Sequence, residues 1–545
     1  MAASVRARSL LEVRNLKVAL PAHADRPFAV NDISFDIGKS EILCIVGESG
    51  SGKSLTAAAI MRLLPRSVSI AGGSIHLDGT DLLALSRTQM RELRGRRISM
   101  IFQEPMTALN PLMRVGRQIE EILEAHTDLD QRQRTERVLE LMHAVELPEP
   151  GQLRHAYPFR LSGGQRQRVM IAMALALDPV LLIADEPTTA LDVTTQKQIL
   201  ALIKRIQSRM GMGVLFITHD FGVVAEIADR VGVMQHGHIV EMGPAMELLN
   251  APRHAYTRKL IAAVPRLEPR PTEEGETDDM LRANRLSKTF VTGGGLFMRR
   301  RVVRAVRDVE LVVHEGQTLG VVGESGSGKS TLGRLLIRLI EADGGEVTFA
   351  GKDFLHASSR ALRALRPKIQ MIFQDPYASL NPRRKVGEII ADGPRAHGAA
   401  RAEALEQARR LLTLVGLDAG ALDRYPHEFS GGQRQRIGIA RALALNPRML
   451  IADEPVSALD VSVQAQVLDL LNDIRRRFNL SMLFITHDLR VAAQVSDRIA
   501  VMRLGEIVEM GPTADIFLRP RHDYTKELLD SIPGRKWVAP ALFAD

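Results

Sequence analysis

Short runs of consecutive apolar residues, each closed by a polar or glycine-rich cluster, alternate along this chain with stretches of helical periodicity. Ile42–Val46 and Thr318–Val322 are two such runs, and each ends in a glycine-rich loop. Residues 180–184 and 449–452 read as buried strands ending in Asp-Glu. Residues 214–218 and 482–486 read as a further pair, followed by His-Asp. Helical patterns follow the glycine-rich loops at residues 54–64 and 330–340. Unbroken apolar runs, rather than alternating ones, suit strands covered on both faces. They predict an α/β fold with a largely parallel sheet and helices on either side. In such sheets ligands gather beyond the carboxyl ends of the strands, where the polar clusters lie.

The whole pattern occurs twice. Ser162 recurs as Ser430, Asp185 as Asp453, His219 as His487 and Tyr256 as Tyr524, all at one constant offset. The glycine-rich loops lie slightly further apart, so the second half holds extra residues before its loop. The glycine-rich, then basic, stretch 293–301 accounts for them. Residues 265–280 (PRLEPRPTEEGETDDM) are rich in Pro, Glu, Thr and Asp and lack apolar periodicity, a linker composition. The predicted organisation is a domain at 1–264, a linker at 265–280 and a second domain at 281–545.

Each glycine-rich loop is the octapeptide GESGSGKS, made of Gly47, Glu48, Ser49, Gly50, Ser51, Gly52, Lys53 and Ser54. It returns as Gly323, Glu324, Ser325, Gly326, Ser327, Gly328, Lys329 and Ser330. It fits the phosphate-loop pattern, in which backbone N–H groups and a helix N-terminus cradle phosphate oxygens, the lysine reaches the β- and γ-phosphates and the serine holds Mg²⁺. One match is weak; two identical ones between strand and helix predict two nucleotide sites. Asp185 and Asp453 suit Mg²⁺, directly or through water. The adjoining Glu186 and Glu454 suit the orientation and deprotonation of an attacking water. Gln103 and Gln374, after Met-Ile-Phe runs, can offer a carbonyl to Mg²⁺ or water. His219 and His487, at strand ends, can contact a γ-phosphate. Asp192 and Asp460, in Ala-Leu-Asp, are placed to shape the water site. Ser162, Gly163, Gly164 and Gln165, and again Ser430, Gly431, Gly432 and Gln433, open long helices. Ser-x-x-Gln is a capping box, and the glycines expose first-turn N–H groups to an outside anion. A second anion-binding helix end makes sense if it closes over ATP held by the opposite half.

Composition narrows the class. No apolar run reaches the roughly 18 residues of a membrane helix; residues 170–184 come nearest and are broken by Asp178 and Pro179. Arg6 and Arg8 are not followed by the apolar stretch of a secretory signal. The single cysteine, Cys44, cannot form an intrachain disulfide and reads as a small buried hydrophobe, in keeping with a cytosolic setting. The formal net charge of +8 reads as a solvated surface, because no block of like charges marks a nucleic-acid arm.

Phosphate loop, glutamine loop, Leu-Ser-Gly-Gly-Gln, strand-end Asp-Glu, Ala-Leu-Asp and Thr-His-Asp, in that order and twice, resemble the ABC ATPase nucleotide-binding domain. The stretch Gln-Glu/Asp-Pro to Leu-Asn-Pro resembles the oligopeptide/dipeptide/nickel importer ATPases, as do Tyr-Pro-His-Glu before Ser430 and the tails Pro-Arg-His-x-Tyr-Thr at 252–257 and 520–525. The chain is similar to their fused type, which includes the microcin C-type and glutathione importers.

The resemblance implies domains with a parallel sheet core, a smaller antiparallel β part and a helical subdomain. It implies Mg-ATP at two sites, hydrolysis coupled to import of peptides or a related solute, and a peripheral position on the cytoplasmic face of the membrane. Two integral membrane permease subunits would be partners, a periplasmic or extracellular solute-binding protein an indirect one, and nucleic acid none. Each ATP would lie between the phosphate loop of one half and the Ser-Gly-Gly turn of the other. Phe290 would stack on adenine in the second half; the first has Leu20 there, with Phe28 as a substitute. Tyr157-Pro-Phe-Arg160 replaces Tyr-Pro-His-Glu in the first copy, and the cysteine cluster of iron–sulfur relatives is missing. A soluble fused ABC protein acting on ribosomes or DNA is the rival reading. The strand-end histidines and the short linker speak against it.

Overall fold

The computed structural model describes residues 9–189, 191–269, 278–292, 301–457 and 459–538. Residues 270–277 of the linker, 293–300 of the basic loop and Ala190 of the first Ala-Leu-Asp lie outside the described residues. The chain divides into two compact units. The first runs through Val264 and takes in the tail from Pro533; the second is Pro265–Ile532. The sequence pattern puts this tail at the end of the second domain. In the structure the Gly534 amide donates to Glu226, and Trp537 Nε1 donates to Asn250 Oδ1 at 3.2 Å.

The first unit contains β1 (Leu11–Ala19), β2 (Phe28–Ile37), β3 (Ile42–Val46), β4 (Ser69–Leu77), β5 (Thr80–Asp81), β6 (Ile98–Ile101), β7 (Leu181–Asp185), β8 (Gly213–Thr218), β9 (Arg230–Gln235) and β10 (His238–Pro244). A main sheet of order β10-β9-β3-β8-β7-β6 is parallel except for β10. A smaller antiparallel sheet has the order β2-β1-β4-β5. Every residue of β3, β7 and β8 is buried, as strands covered on both faces require. In β2 the pattern alternates instead: Ile33, Phe35 and Ile37 point into the core, while Asp32 and Ser34 face water.

The second unit repeats the design with β11 (Asp279–Thr292), β12 (Arg301–His314), β13 (Thr318–Val322), β14 (Gly344–Phe349), β15 (Lys352–Asp353), β16 (Ile369–Ile372), β17 (Met449–Asp453), β18 (Ser481–Ile485), β19 (Arg498–Arg503) and β20 (Glu506–Pro512). Its sheets have the orders β16-β17-β18-β13-β19-β20 and β12-β11-β14-β15. A helical part built on Val386–Ala396, Arg401–Leu414 and Gly431–Leu443 packs Val386, Ile390, Leu412, Val415 and Ile437 together. Each fully buried side chain of this kind contributes roughly 1.5–3 kcal/mol relative to exposure.

Register sets the stage for chemistry. Val46 of β3 pairs with Thr218 of β8, and Asp185 of β7 pairs with Ile217. The loop after β3 and the polar ends of β7 and β8 are therefore level. In the second unit Val321 pairs with Ile485, and so does Asp453.

The helices after the loops, Lys53–Ile60 and Lys329–Leu336, are shorter than the sequence pattern predicts. Arg62 (φ 51) and Arg338 (φ 54) take left-handed backbone there. Leu63 N donates back to Ala58 O and Leu339 N to Arg334 O, closing each helix in a Schellman-type cap. Cys44 is buried in β3, and that burial pushes its thiol pKa far up. No described helix is long and apolar enough to cross a membrane.

Candidate functional site

In each half the phosphate loop presses so closely on the backbone of two neighbouring strands that only glycine fits. A Cβ on Gly47 (φ 155) would lie 2.2 Å from Met234 O, and one on Gly52 (φ 108) 2.5 Å from Ala29 O. Gly323 and Gly328 are held in the same way, against Met502 O and Ala305 O. Lys53 is buried, and its Nζ donates to Gly47 O at 2.7 Å and Glu48 O at 2.9 Å. Lys329 makes the same pair of bonds to Gly323 O and Glu324 O, at 2.7 and 2.8 Å. The ammonium thus holds the loop curled around itself. Ser49, Gly50, Ser325 and Gly326 are exposed at the tip, while Ser51 and Ser327 are buried beneath it.

Beside the loop, Ser54 Oγ donates to Asp185 Oδ1 at 3.0 Å, and Ser330 Oγ to Asp453 Oδ1 at 2.8 Å. Burial pushes the Asp185 pKa up to about 6, with the Ser54 hydrogen bond opposing and Glu186 adding to the rise. Burial raises Asp453 as well, and its Oδ2 is buried with no hydrogen-bond partner. A carboxylate oxygen so placed beside a serine hydroxyl fits a hard divalent cation, which takes oxygen ligands of this kind.

Glu186 and Glu454 sit at the ends of β7 and β17 in left-handed backbone (φ 46 in both), each pinned by its N–H to the carbonyl of Ile217 or Ile485 at 2.9 Å. Such strain costs about 1–3 kcal/mol and persists only where surroundings enforce it. Three neighbours meet Glu186 Oε2: His219 Nδ1 at 3.2 Å, Gln103 Nε2 at 3.1 Å and Thr189 Oγ1 at 2.9 Å. Around Glu454 Oε2 stand His487 Nδ1 at 3.3 Å and Gln374 Nε2 at 2.9 Å. The sequence pattern suits Gln103 and Gln374 to a carbonyl role; in the structure their amide nitrogens face the glutamates. In the sequence nothing marks Thr189, a threonine three residues past the glutamate. Its counterpart Ser457 donates to the Glu454 carbonyl oxygen at 3.2 Å, and its hydroxyl also helps to lower the Glu454 carboxyl.

These contacts shift protonation. Burial works to raise Glu186, but the hydrogen bond and charge of His219, with Thr189 and Lys53, outweigh it and hold its pKa at about 2. Glu454 is lowered by the corresponding contact with His487. Burial works to lower His487, but Glu454 outweighs it and raises the pKa above the usual 6.5. The raised histidine therefore contributes stability that is complete below about pH 6.5 and is lost as pH rises through its folded pKa. The depressed Glu186 contributes stability present above its ordinary carboxylate range and lost as pH falls toward 2. In the nucleotide-free protein, NMR titration of His487 is expected to show a midpoint above 6.5, brought down by Glu454→Gln. A midpoint below 6.5 in the unmodified chain contradicts the pairing.

The Ser-Gly-Gly-Gln turns are capping boxes. Ser162 Oγ accepts from Gln165 N at 3.2 Å and Gln165 Oε1 from Ser162 N at 3.0 Å; Ser430 and Gln433 do the same at 3.4 and 3.0 Å. Ser162, Gly163 and Ser430 are exposed. Gly164 and Gly432 have a packing reason: a Cβ would lie 2.6 Å from Thr195 Cγ2 or 2.3 Å from Val463 Cγ1 on the next helix. Asp192 caps that helix in the first half, accepting from Thr195 N at 2.9 Å, whereas the Asp460 side chain makes no such bond. Upstream, Tyr425 N donates to Glu428 Oε2 at 2.6 Å, a bond Arg160 cannot replace. Both segments still form a 3₁₀ turn leading into the same cap.

On the outer side of the first loop, Leu20, Arg26, Phe28, Asn31, Gly50 and His236 line an open hollow, and Arg26 donates to Gly50 O. In the second half Phe290 is partly exposed, with Lys288 Nζ 5.7 Å from its ring centre.

Comparison with known sequences identifies the family. The family described as ABC transporter matches residues 30–189 and 306–457. The chain belongs to the ABC transporter family. The region described as the C-terminal region of oligopeptide/dipeptide transporters matches at 240–300 and 508–537, once per half. The chain is 51% identical to "Peptidoglycan transport ATP-binding protein YejF" of Agrobacterium fabrum, over 95% of this chain and 96% of the relative. It is 48% identical to "Glutathione import ATP-binding protein GsiA" of Escherichia coli K12, over 97% and 90%. The GsiA of Pectobacterium atrosepticum is 47% identical, over 96% and 90%. The protein is thus a fused, two-domain ATP-binding subunit of an ABC importer, an ATPase whose family works with membrane permeases.

Proposed function

We propose that this subunit hydrolyses Mg-ATP at two sites to drive uptake of a peptide-bearing solute through a pair of permease subunits, from the cytoplasmic face of the membrane. The solute class rests on the named relatives, whose glutathione and peptidoglycan cargoes both contain peptide bonds. The observation that carries the site reading is the assembly, in each half, of a loop lysine, a Ser–Asp pair and a Glu–His–Gln cluster around level strand ends.

In each half Lys53 or Lys329 turns from the loop carbonyls to the β- and γ-phosphates, and the loop amides take the remaining oxygens. Mg²⁺, held by Ser54 with Asp185 and by Ser330 with Asp453, and open to the carbonyls of Gln103 and Gln374, would neutralise charge developing on the phosphates. Glu186 and Glu454 position water in line and accept its proton, with His219 and His487 turning to the γ-phosphate. As the family resemblance implies, the exposed turns at Ser430 and Ser162 would each close over the nucleotide held by the loop of the other half. Triphosphate then favours the closed form by its differential affinity for it. Phe290 stacks on adenine in the second half, and Phe28 with Leu20 supplies the apolar face in the first.

The test is reconstitution with its partner permease subunits and their solute receptor. ATPase activity should rise severalfold when the receptor carries a short peptide and stay basal with a peptide-free sugar or metal load. Stimulation by RNA or ribosomes, without any by the permeases, would overturn the assignment.

A further inference from the structure

Each phosphate loop is gripped from behind by a residue that the chemistry above does not use. Tyr256 opens the helix Ala255–Ala262, and its ring is buried. Its hydroxyl accepts from Glu48 N at 3.3 Å and donates to Glu48 Oε2 at 3.1 Å. Glu48 is also the residue whose carbonyl holds Lys53 Nζ. The tyrosine therefore clamps one side of a peptide pair on which the loop lysine rests.

The helix carrying the tyrosine is itself fixed. His254 Nδ1 caps it by accepting from Tyr256 N at 3.2 Å, and the Glu241 carboxylate of β10 accepts from Arg253 N at 2.7 Å and His254 N at 3.1 Å. The second half repeats the chain of contacts. Tyr524 OH accepts from Glu324 N at 3.2 Å, and Glu324 O holds Lys329 Nζ. His522 Nδ1 caps Tyr524 N at 3.1 Å, and Glu509 accepts from Arg521 N at 2.8 Å and His522 N at 3.1 Å. The Arg503 guanidinium lies 4.6 Å from the Tyr524 ring centre; Gln235 ends the equivalent strand of the first half.

We propose that Tyr256 and Tyr524 are positioning residues for nucleotide binding: each phenol fixes the glutamate peptide of its phosphate loop, and with it the lysine. The inference rests on the reading that these loops hold ATP. It links the Pro-Arg-His-x-Tyr-Thr tail of each half to the loop through one hydroxyl group. A curled loop is then ready for phosphate before ligand arrives, and the ordering cost is met by folding rather than by binding.

The test removes the hydroxyl and keeps the ring. In the full-length chain carrying Tyr256→Phe and Tyr524→Phe, the Mg-ATP concentration that half-displaces trinitrophenyl-ATP should rise about two- to tenfold, the loss expected when each loop gives up the net worth of one hydrogen bond. The hydrolysis rate at saturating ATP and the melting temperature should stay near those of the unmodified chain. Lys53→Ala with Lys329→Ala is the control. If the lysine variant binds as well as the unmodified chain, the loops are not the ATP sites. If the lysine variant is impaired and the phenylalanine variant binds ATP unchanged, the positioning role falls alone. A fall in melting temperature and saturating rate with affinity preserved would also overturn it, assigning the tyrosines to packing.

Discussion

Glu186→Gln combined with Glu454→Gln is expected to slow ATP hydrolysis by about a hundred- to ten-thousandfold, the usual worth of a general base, while Mg-ATP still binds. Glutamine has the shape of glutamate and can still accept a hydrogen bond from His219 or His487, so the left-handed strand end and its neighbours should survive. Only the proton acceptor is lost. In the nucleotide-free site His219 holds Glu186 at about 2, a poor match for taking a proton near neutrality. His219 is therefore expected to leave Glu186 for the γ-phosphate once ATP is bound, letting the carboxylate's basicity rise. Measured by phosphate release at saturating ATP, a double variant within threefold of the unmodified rate would remove both glutamates from the base role.

Lys53→Ala should abolish binding at one site and leave the other, so that equilibrium dialysis counts one nucleotide per chain in place of two. Each charged hydrogen bond to phosphate is worth about 1.5–3 kcal/mol, and the ammonium would reach both the β- and the γ-phosphate. The buried lysine also leaves two loop carbonyls, Gly47 O and Glu48 O, without their donor. The variant should therefore lose some stability as well as affinity. Lys329→Ala should give the mirror result, and both together none bound. Two nucleotides retained by either single variant would show that the lysine does not hold phosphate.

Much of this was legible in the chain because the informative residues are local. Fully buried strands read as unbroken apolar runs, and β3 and β13 fall on the residues the pattern predicted. The octapeptide carries its own strand–loop–helix context. Helix ends were less legible: Arg62 and Arg338 take a backbone conformation that sequence favours for glycine or asparagine, and only tertiary packing imposes it. The direction of the Gln103 and Gln374 amides was not legible either. It depends on Glu186 and Glu454, some eighty residues away in sequence and brought close by strand register. The tyrosine clamp was hidden for the same reason. Tyr256 and Tyr524 stood out only as a repeated tail motif, and their partners lie 208 and 200 residues upstream.

Whether each ATP is shared between the halves is the central claim, and engineered cysteines test it most directly. The native Cys44 is buried and should not interfere. In the Glu186→Gln, Glu454→Gln chain, Ser49→Cys should form a disulfide with Ser430→Cys only when Mg-ATP is present, detected by the mass of the linked peptides. Ser49→Cys joining Ser162→Cys instead, or joining Ser430→Cys equally well without nucleotide, would contradict it.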